Sequence, residues 1–324
     1  MEMDRTALAR ARMALPEAVG GFLFQRNIDL IDIGFKEEEG RLTDRLAIRV
    51  HVHEKRSGPA LEAAVAAGNT REVPGEIAGV ETDVVEGVYR GQQWPWWGGG
   101  TWRPVDPRAR RADPMAGGVS ISSEHHSTYG TLGGLVRDRS TGQEMLLSAS
   151  HVLVGGWGAR PGDRIYQPGR GDGGRSADTI ATLTRDAMAT NLDAAVAMLT
   201  GDRELINRQL DLGPVEGVRH AYLGMPVVKS GRRTDVTFGQ VSGIDGVQKL
   251  SYRGVNRMVR SVISIDPQHS AAEVSAGGDS GSWWLDSETR QVVGLHFAGS
   301  NIPERALAID MPSVLDALDV DVVV

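Results

Sequence analysis

The chain has 324 residues, of which 40% are hydrophobic and 24% charged, and its formal net charge is −7 at pH 7. These proportions are typical of a globular protein and exclude a largely disordered chain. The mild acidic balance offers no basic field, so we expect neither a nucleic-acid partner nor an anionic membrane partner. The sequence contains no cysteine, which excludes disulfide bonds and thiolate metal sites.

The N-terminal sequence and the missing cysteines bear on localisation. Residues 1–22 carry charges through their first half and lack an apolar core of signal-peptide length. No stretch approaches the 18 apolar residues that a membrane-spanning helix requires. Because secreted proteins often use disulfides, we expect a cytoplasmic protein.

The first 87 residues predict a small α+β domain, with a regulatory or recruiting role. Helix-favouring residues and a short Ala-rich run predict two helices, and alternation of apolar and polar residues predicts three strands. The GRLTD string at 40–44 indicates a turn between the first two strands. The predicted helices are 6–15 and 60–67, and the predicted strands are 28–35, 46–53 and 80–85.

Residues 88–118 differ in composition and predict a linker rich in Trp, Gly, Pro and Arg. Aromatic side chains bury large areas, so the favoured interpretation is that its tryptophans pack against a domain and hold the linker there. A partner-binding patch is the alternative. The arginines of 108–111 indicate a solvated charge run or, less favoured, a processing site. The linker tryptophans are Trp94, Trp96, Trp97 and Trp102.

From residue 119 onward the pattern becomes all-β. Short apolar runs alternate with turn residues, as in MLLSASHVLV, GMPVVKSG, VTFGQVSG and QVVGLHFAG. Many short strands separated by turn signals predict a sandwich or a barrel. Residues 312–318 predict a short helix and DVVV a final strand, so residues 119–324 form one mainly β domain.

The string Gly278-Asp279-Ser280-Gly281 is the strongest chemical signal in the chain. A serine nucleophile needs an adjacent base, and backbone N–H groups must point at the oxyanion that develops. A glycine two residues before the serine lets the N–H groups of Gly278 and Ser280 form one oxyanion hole. The alternative interpretation is a tight polar turn between strands.

A histidine and an aspartate complete the pattern. His151 follows the apolar run MLL and small residues, and Asp193 leads into the apolar run AAVAML. Asp178 and Asp186 are competitors, but each precedes a run that is more polar. The order His, Asp, Ser is that of double-barrel proteases, and it differs from the orders in subtilisins and α/β-hydrolases. The three together predict a catalytic triad.

These motifs resemble those of the trypsin-like serine peptidases. LSASHVL resembles the family's histidine motif, LDAAVAML its aspartate motif and GGDSGSWW its serine motif. A narrower resemblance links LAIRVHVHEK, VETDVVEG and SVLDALDVDVVV to the plant narrow-leaf proteases and their bacterial relatives. The resemblance implies a chymotrypsin-like double β-barrel with the triad in the cleft between barrels. It also implies a serine endopeptidase acting on protein or peptide substrates without a metal or cofactor.

The resemblance also implies where the specificity pocket lies. Relatives that cleave after Arg or Lys carry an aspartate six residues before the nucleophile, where this chain has Val274. His296 and Ser275 match positions used by glutamate-specific relatives. Two alternatives follow, which are cleavage after Glu or Asp and cleavage after small or medium apolar residues.

Regulation and rival functions stay open in the sequence. In secreted relatives, the residue before the nucleophile pairs with a new N-terminus after cleavage. The corresponding residue here is Asp279. Either another group satisfies it, or the loop stays disordered until a partner, self-assembly or cleavage orders it.

The rival functions are an inactive protease fold that acts as an interaction module and an esterase using the same triad. His51 and His53 lie two apart on a strand, and packing is favoured over a metal site.

Overall fold

The computed structural model describes residues 5–38, 41–91, 106–155, 159–252, 255–269 and 272–324. The four tryptophans of the predicted linker lie outside the described residues. Within the described ranges, no helix combines the length and apolar character needed to cross a membrane.

The N-terminal segment is an α/β unit whose strands form a sheet. Strand β1 pairs antiparallel with β2, and β4 pairs parallel with β2 on its other edge. One side of α1 is buried, through Leu8, Ala11, Leu15 and Phe22. The elements are α1 (Arg5–Phe22), β1 (Ile28–Glu38), β2 (Arg41–Val52), α2 (Gly58–Ala66), β3 (Glu76–Ile77), β4 (Val80–Glu86) and β5 (Arg90–Gly91).

Two of the predicted boundaries in this segment are wrong. The helix predicted over 6–15 continues through Pro16 to Phe22, because its buried residues extend over the later turns. The turn predicted at 40–44 is strand from Arg41 onward, since Arg41 pairs with Glu38 and Leu42 with Glu37. Pairing across a hairpin overrides the local turn preference of these polar residues.

The next elements build a first barrel. They are β6 (Met115–Gly117), β7 (Ser120–Ser123), β8 (Gly130–Thr131), β9 (Gly134–Asp138), β10 (Glu144–Ser148), α3 (Ser150–Leu153), β11 (Arg164–Tyr166), β12 (Thr179–Asp186) and β13 (Ala195–Leu199). Strands β8 and β9 follow one another along the chain, and β8 pairs with β7 while β9 pairs with β10. The sheet order is β9-β10-β13-β12-β11-β7-β8, and the chain leads directly from β8 at one end of this order to β9 at the other.

A second barrel follows it. The elements that follow β13 along the chain are β14 (Leu205–Gln209), β15 (Pro226–Gly231), β16 (Asp235–Tyr252), β17 (Val255–Pro267), β18 (Trp283–Asp286), β19 (Val292–Asn301), β20 (Glu304–Asp310), α4 (Met311–Leu318) and β21 (Val320–Val322). Strand β14 pairs with β6 in a separate two-stranded sheet. The order β15-β18-β19-β20-β17-β16 closes because β15 also pairs with β16. The last strand, β21, returns to pair with β9 of the first barrel.

The long strand β16 joins the N-terminal segment to the second barrel. Its first half pairs with β15, and its second half pairs with β1 through Leu30↔Gln248 and Gly34↔Gly243. One buried apolar cluster includes residues from both segments, such as Ile33 and Val241. The N-terminal strands thus extend the sheet of the second barrel. The division into domains 1–87, 88–118 and 119–324 stays a prediction.

Part of the region predicted as a linker has regular structure. Residues Pro107–Ala109 form a 3-10 helix, and β6 pairs with β14. The expectation of a solvated charge run is wrong at Arg108, which is 2% exposed. Its guanidinium contacts Asp211 at 2.7 Å and Ser230 Oγ at 2.6 Å. The run of arginines in the sequence gave no sign of these distant partners.

The described elements confirm a mainly β protein with two barrels preceded by a small helix-and-strand segment. Three further 3-10 helices lie in first-barrel loops, at Arg170–Asp172, Ser176–Asp178 and Met188–Thr190. The predicted C-terminal helix and final strand are both present as α4 and β21.

Candidate active site

His151 lies on a single helical turn at the end of β10. The apolar run MLL lies on β10, which ends at Ser148, and α3 begins at Ser150. The N–H groups of Val152 and Leu153 both donate to the carbonyl of Ala149, which closes this turn. Because of this turn, the His151 side chain does not follow the alternating side-chain directions of β10.

Asp193 contacts His151 twice. Asp193 Oδ1 accepts a hydrogen bond from the His151 backbone N–H at 2.9 Å, and Oδ2 lies 2.5 Å from His151 Nδ1. Strands β10 and β13 are neighbours, with Ser148 paired to Ala195, so the residues that follow β10 and precede β13 meet. The competitors Asp178 and Asp186 instead accept hydrogen bonds from the N–H groups of Arg175 and Met188.

Ser280 lies where the two barrels meet. Its carbonyl accepts a hydrogen bond from the N–H of Thr131, at 2.8 Å. A Cβ placed on Gly130 would lie 2.4 Å from Cγ2 of Val152 and 3.0 Å from the Ser280 carbonyl oxygen. Gly130 therefore lies beside both Ser280 and Val152, and Val152 belongs to the turn that carries His151. Ser280 Oγ is buried and has no hydrogen-bond partner among the described residues.

The loop before Ser280 turns at Gly278. Gly278 has φ +114°, and a Cβ there would lie 2.5 Å from Cε2 of Tyr129, so only glycine fits. Thr131 Oγ1 donates to the Gly278 carbonyl at 2.8 Å and thereby turns that carbonyl away. Within the described ranges, no group accepts a hydrogen bond from the N–H of Gly278 or Ser280. Both amides are available to an anionic oxygen.

Asp279 is held by an internal lysine. Lys229 Nζ lies 3.0 Å from Asp279 Oδ2, and both side chains are fully buried. The carboxylate also accepts hydrogen bonds from Thr234 Oγ1 and from the N–H groups of Arg233, Thr234 and Ala276. Burial alone would raise the pKa of Asp279, but the Lys229 charge and these hydrogen bonds hold it at about 2. Of the two alternatives drawn from the sequence, the structure has Asp279 satisfied by another group.

The predicted pocket residues Val274 and Ser275 are buried and adjoin a carboxylate. The N–H of Val274 donates to Glu304 Oε1 at 2.8 Å, and the N–H of Ser275 donates to the same oxygen at 3.2 Å. Burial raises the pKa of Glu304, and the nearby charge of Glu273 adds to this effect. Glu304 therefore brings negative charge to the backbone of the predicted pocket.

His296, the third predicted pocket residue, is fully buried on β19. Burial and the charge of Lys229 lower the pKa of His296 to about 3, so the imidazole is neutral at pH 7. The Trp284 indole N–H donates toward His296 Nδ1 at 3.5 Å, with the rings edge to face. The imidazole thus supplies no positive charge to a ligand at neutral pH.

Three residues of the site were missed in the sequence. Lys229 gave a usable signal, since a lone lysine in the apolar strand GMPVVKSG needs a buried counter-charge. Thr131 and Glu304 gave none, because their roles depend on loops that lie far away in the chain. Conversely, His51 and His53 contact Asp32 and Asp29 respectively, as packed polar residues do.

Comparisons with known proteins bear on the fold. No protein-family model matches the chain. No curated protein matches it. Among solved structures, Thermobifida fusca protease A aligns at 20% identity over 64% of this chain and 99% of its own, with a TM-score of 0.47.

Two further solved structures align similarly. Cellulomonas bogoriensis chymotrypsin aligns at 19% identity over 64% of this chain and 99% of its own, with a TM-score of 0.47. A glutamic acid-specific serine protease aligns at 19% identity over 64% of this chain and all of its own, with a TM-score of 0.48. These structural neighbours are chymotrypsin-fold serine proteases.

Proposed function

We propose that the chain is a serine endopeptidase that cleaves peptide bonds through His151, Asp193 and Ser280. The observation that carries the proposal is the double contact of Asp193 with the backbone N–H and the Nδ1 of His151. This contact directs Nε2, the other ring nitrogen, away from the carboxylate, as a general base requires. The fully buried carboxylate would also stabilise the imidazolium that forms during the reaction.

The proposed reaction is acyl transfer in two halves. Ser280 Oγ forms a bond to the substrate carbonyl carbon while His151 Nε2 takes the hydroxyl proton. The oxyanion is stabilised by the N–H groups of Gly278 and Ser280, each worth roughly 3–4 kcal/mol. The C–N bond then breaks as His151 returns the proton to the leaving amine. Water repeats the sequence on the acyl-enzyme, with no cofactor and no metal.

The proposed control of this activity acts on access to the site rather than on the order of the loop. The ion pair of Lys229 with Asp279 and the four further groups that donate to its carboxylate favour a loop that is already organised. We therefore favour control by the N-terminal segment over control by a partner protein that orders the oxyanion loop. The narrower resemblance to the narrow-leaf proteases fits such a segment and is part of this proposal.

For the residue cleaved, we propose that acidic side chains are the poorest substrates. A neutral His296 offers no charge to a Glu or Asp side chain, and the carboxylate of Glu304 repels one. Apolar side chains remain acceptable, and basic ones gain attraction from Glu304. This proposal favours the apolar alternative over the acidic one that His296 and Ser275 suggested.

The test is labelling of the full-length protein with a fluorophosphonate probe, read by intact mass beside Ser280→Ala. One adduct on the wild type and none on the variant is the expected result. An equal adduct on both would assign the nucleophile elsewhere, and none on either would support an inactive interaction module. Hydrolysis of esters without hydrolysis of peptides by the labelled enzyme would support the esterase alternative.

A further inference from the structure

The short strand β5 lies on the edge of β19 that leads to Ser280. It pairs antiparallel, with Gly91 opposite Ala298 and Arg90 opposite Gly299. On its other edge, the same part of β19 pairs with β20, with Ala298 opposite Leu307. Ala298 and Gly299 are therefore covered on both edges, one of them by the N-terminal segment.

The loop that carries Ser280 lies on this same edge. The N–H of Gly281 donates to the carbonyl of His296 at 2.8 Å, and the N–H of His296 donates to the carbonyl of Ser282 at 2.9 Å. Since a strand rises about 3.3 Å per residue, Ala298 is about 7 Å beyond His296. A chain paired antiparallel with Ala298 and Gly299 therefore has its C-terminal end directed toward Ser280.

That polarity is what an extended substrate requires. A peptide that adds to a sheet edge forms main-chain hydrogen bonds there, and its next residue can then present a carbonyl to the nucleophile. We propose that Arg90 and Gly91 occupy the part of β19 that binds the substrate residues preceding the scissile bond. The N-terminal segment is then an intramolecular competitor of substrate. This inference rests on the proposed endopeptidase function.

Tyr89 anchors the competitor strand. Its side chain is 3% exposed, and its hydroxyl lies 2.9 Å from Arg305 Nη1 and 2.7 Å from His51 Nδ1. Arg305 follows Glu304 on β20 and forms an ion pair with Asp266. The residue before β5 is thus fixed to the N-terminal sheet and to the strand beside β19. This contact orders β5 in place before any substrate arrives.

A tethered strand competes strongly even when its own contacts are weak. Short tethers give effective concentrations on the order of 1 mM, so a strand with an intrinsic affinity of roughly 100 μM raises KM about 10-fold. The value of kcat does not change, because the site is complete once substrate has displaced the strand.

The experiment compares Gly91→Pro with Gly91→Ala in the full-length protein. Proline disrupts strand pairing, whereas an alanine Cβ at this position meets only Leu250 Cδ2, at an ordinary 3.8 Å. KM and kcat are measured on a neutral peptide substrate, with fluorophosphonate labelling of Ser280 in parallel. We expect Gly91→Pro to lower KM about 10-fold at constant kcat, and Gly91→Ala to keep the wild-type KM.

Two additional measurements protect this test against misfolding. Tyr89→Phe keeps the ring and removes the anchoring hydroxyl, so it should lower KM by a smaller factor. A capped peptide of residues 86–91 should inhibit Gly91→Pro competitively and the wild type more weakly. If KM stays at or above the wild-type value in both Gly91→Pro and Tyr89→Phe while Ser280 is labelled, the competitor proposal is overturned. If no variant is labelled at Ser280, the endopeptidase proposal fails and this inference fails with it.

Discussion

Lys229 Nζ lies 3.0 Å from Asp279 Oδ2, and neither side chain is exposed. The ion pair places a fixed cation behind the loop that carries Gly278 and Ser280. The lysine lies on β15 and the aspartate just before β18, so two neighbouring strands of the second barrel supply the pair. We expect the geometry of the predicted oxyanion hole to depend on this contact.

Removing the lysine should destabilise the protein and disorder the loop. Lys229→Met leaves a buried carboxylate without its counter-charge, which costs about 3–5 kcal/mol. We expect a lower free energy of unfolding in urea and a slower reaction of Ser280 with the fluorophosphonate. The double variant Lys229→Met, Asp279→Asn should recover part of the stability, because no unpaired charge remains. A single variant as stable as the wild type would contradict the role given to this pair.

Changing the orienting carboxylate should remove activity with little loss of stability. Asp193→Asn keeps the size of the side chain but favours the wrong tautomer of His151, for which a loss of about 10⁴-fold in kcat is expected. The measurement is kcat on a peptide substrate, with Asp186→Asn as the control because, among the described residues, the Asp186 carboxylate accepts only from the Met188 N–H. A loss below 10-fold in Asp193→Asn would show that this contact is structural.

A side chain at Gly278 should damage the oxyanion hole. The variant Gly278→Ala is strained at φ +114° and its Cβ would collide with Tyr129, so the N–H must move. We expect a loss of about 10²–10³-fold in kcat, the effect of losing one oxyanion donor. Gly162→Ala is the control, because Gly162 has φ +99° and no heavy atom of the described residues lies within 4 Å of its Cβ position. Equal losses in the two variants would attribute the effect to backbone strain alone.

The carboxylate of Glu304 should set the preference between basic and neutral side chains. Glu304→Gln keeps the acceptor for the Val274 N–H and removes the charge. We expect the ratio of kcat/KM for Arg over Leu peptides to fall about 10-fold, the effect of about 1.4 kcal/mol. Because the pKa of Glu304 is raised, the wild-type ratio should also fall on acidification before ordinary carboxylates are protonated. A ratio unaffected by both changes would place Glu304 outside the pocket.

Acid should destabilise the N-terminal sheet through His51. Burial lowers the pKa of His51 to about 4, although Asp32 beside it opposes this shift. The unfolded state therefore binds a proton that the folded state does not, from pH 6.5 downward. This difference in proton binding lowers the free energy of unfolding by about 2 kcal/mol at pH 5 relative to pH 7.5. The loss grows until the pH reaches about 4.

The measurement is urea unfolding at pH 7.5 and pH 5 for the wild type and His51→Gln. Asp32, which contacts His51, has a pKa far below this range, and Arg305 and Tyr89 have raised pKa values above it, so the difference isolates the histidine. The variant should lose less stability on acidification than the wild type. Equal losses would show that His51 is protonated in the folded state.

Much of the fold could be predicted from local patterns. Alternation of apolar and polar residues at 28–35, 46–53 and 80–85 predicted strands, and the structure has β1, β2 and β4 there. The middle of β1 and β2 is nevertheless buried on both faces, because Arg49 and His51 both contact Asp32. Local patterns failed where distant contacts decide. Hairpin pairing converts the predicted turn at 40–44 into strand, and the partners of Arg108 bury a residue expected in solvent.

For the site, the sequence by itself determined which residues to choose. A nucleophilic serine, a base and an orienting carboxylate each require one residue type in a short local context, so His151, Asp193 and Ser280 could be selected without coordinates. Tertiary structure alone decided their surroundings. Lys229 contacts Asp279, which is 50 residues away in sequence, and Glu304 contacts Val274, which is 30 residues away. Arg90 pairs with Gly299. Such contacts depend on strand order and register, which local sequence patterns do not specify.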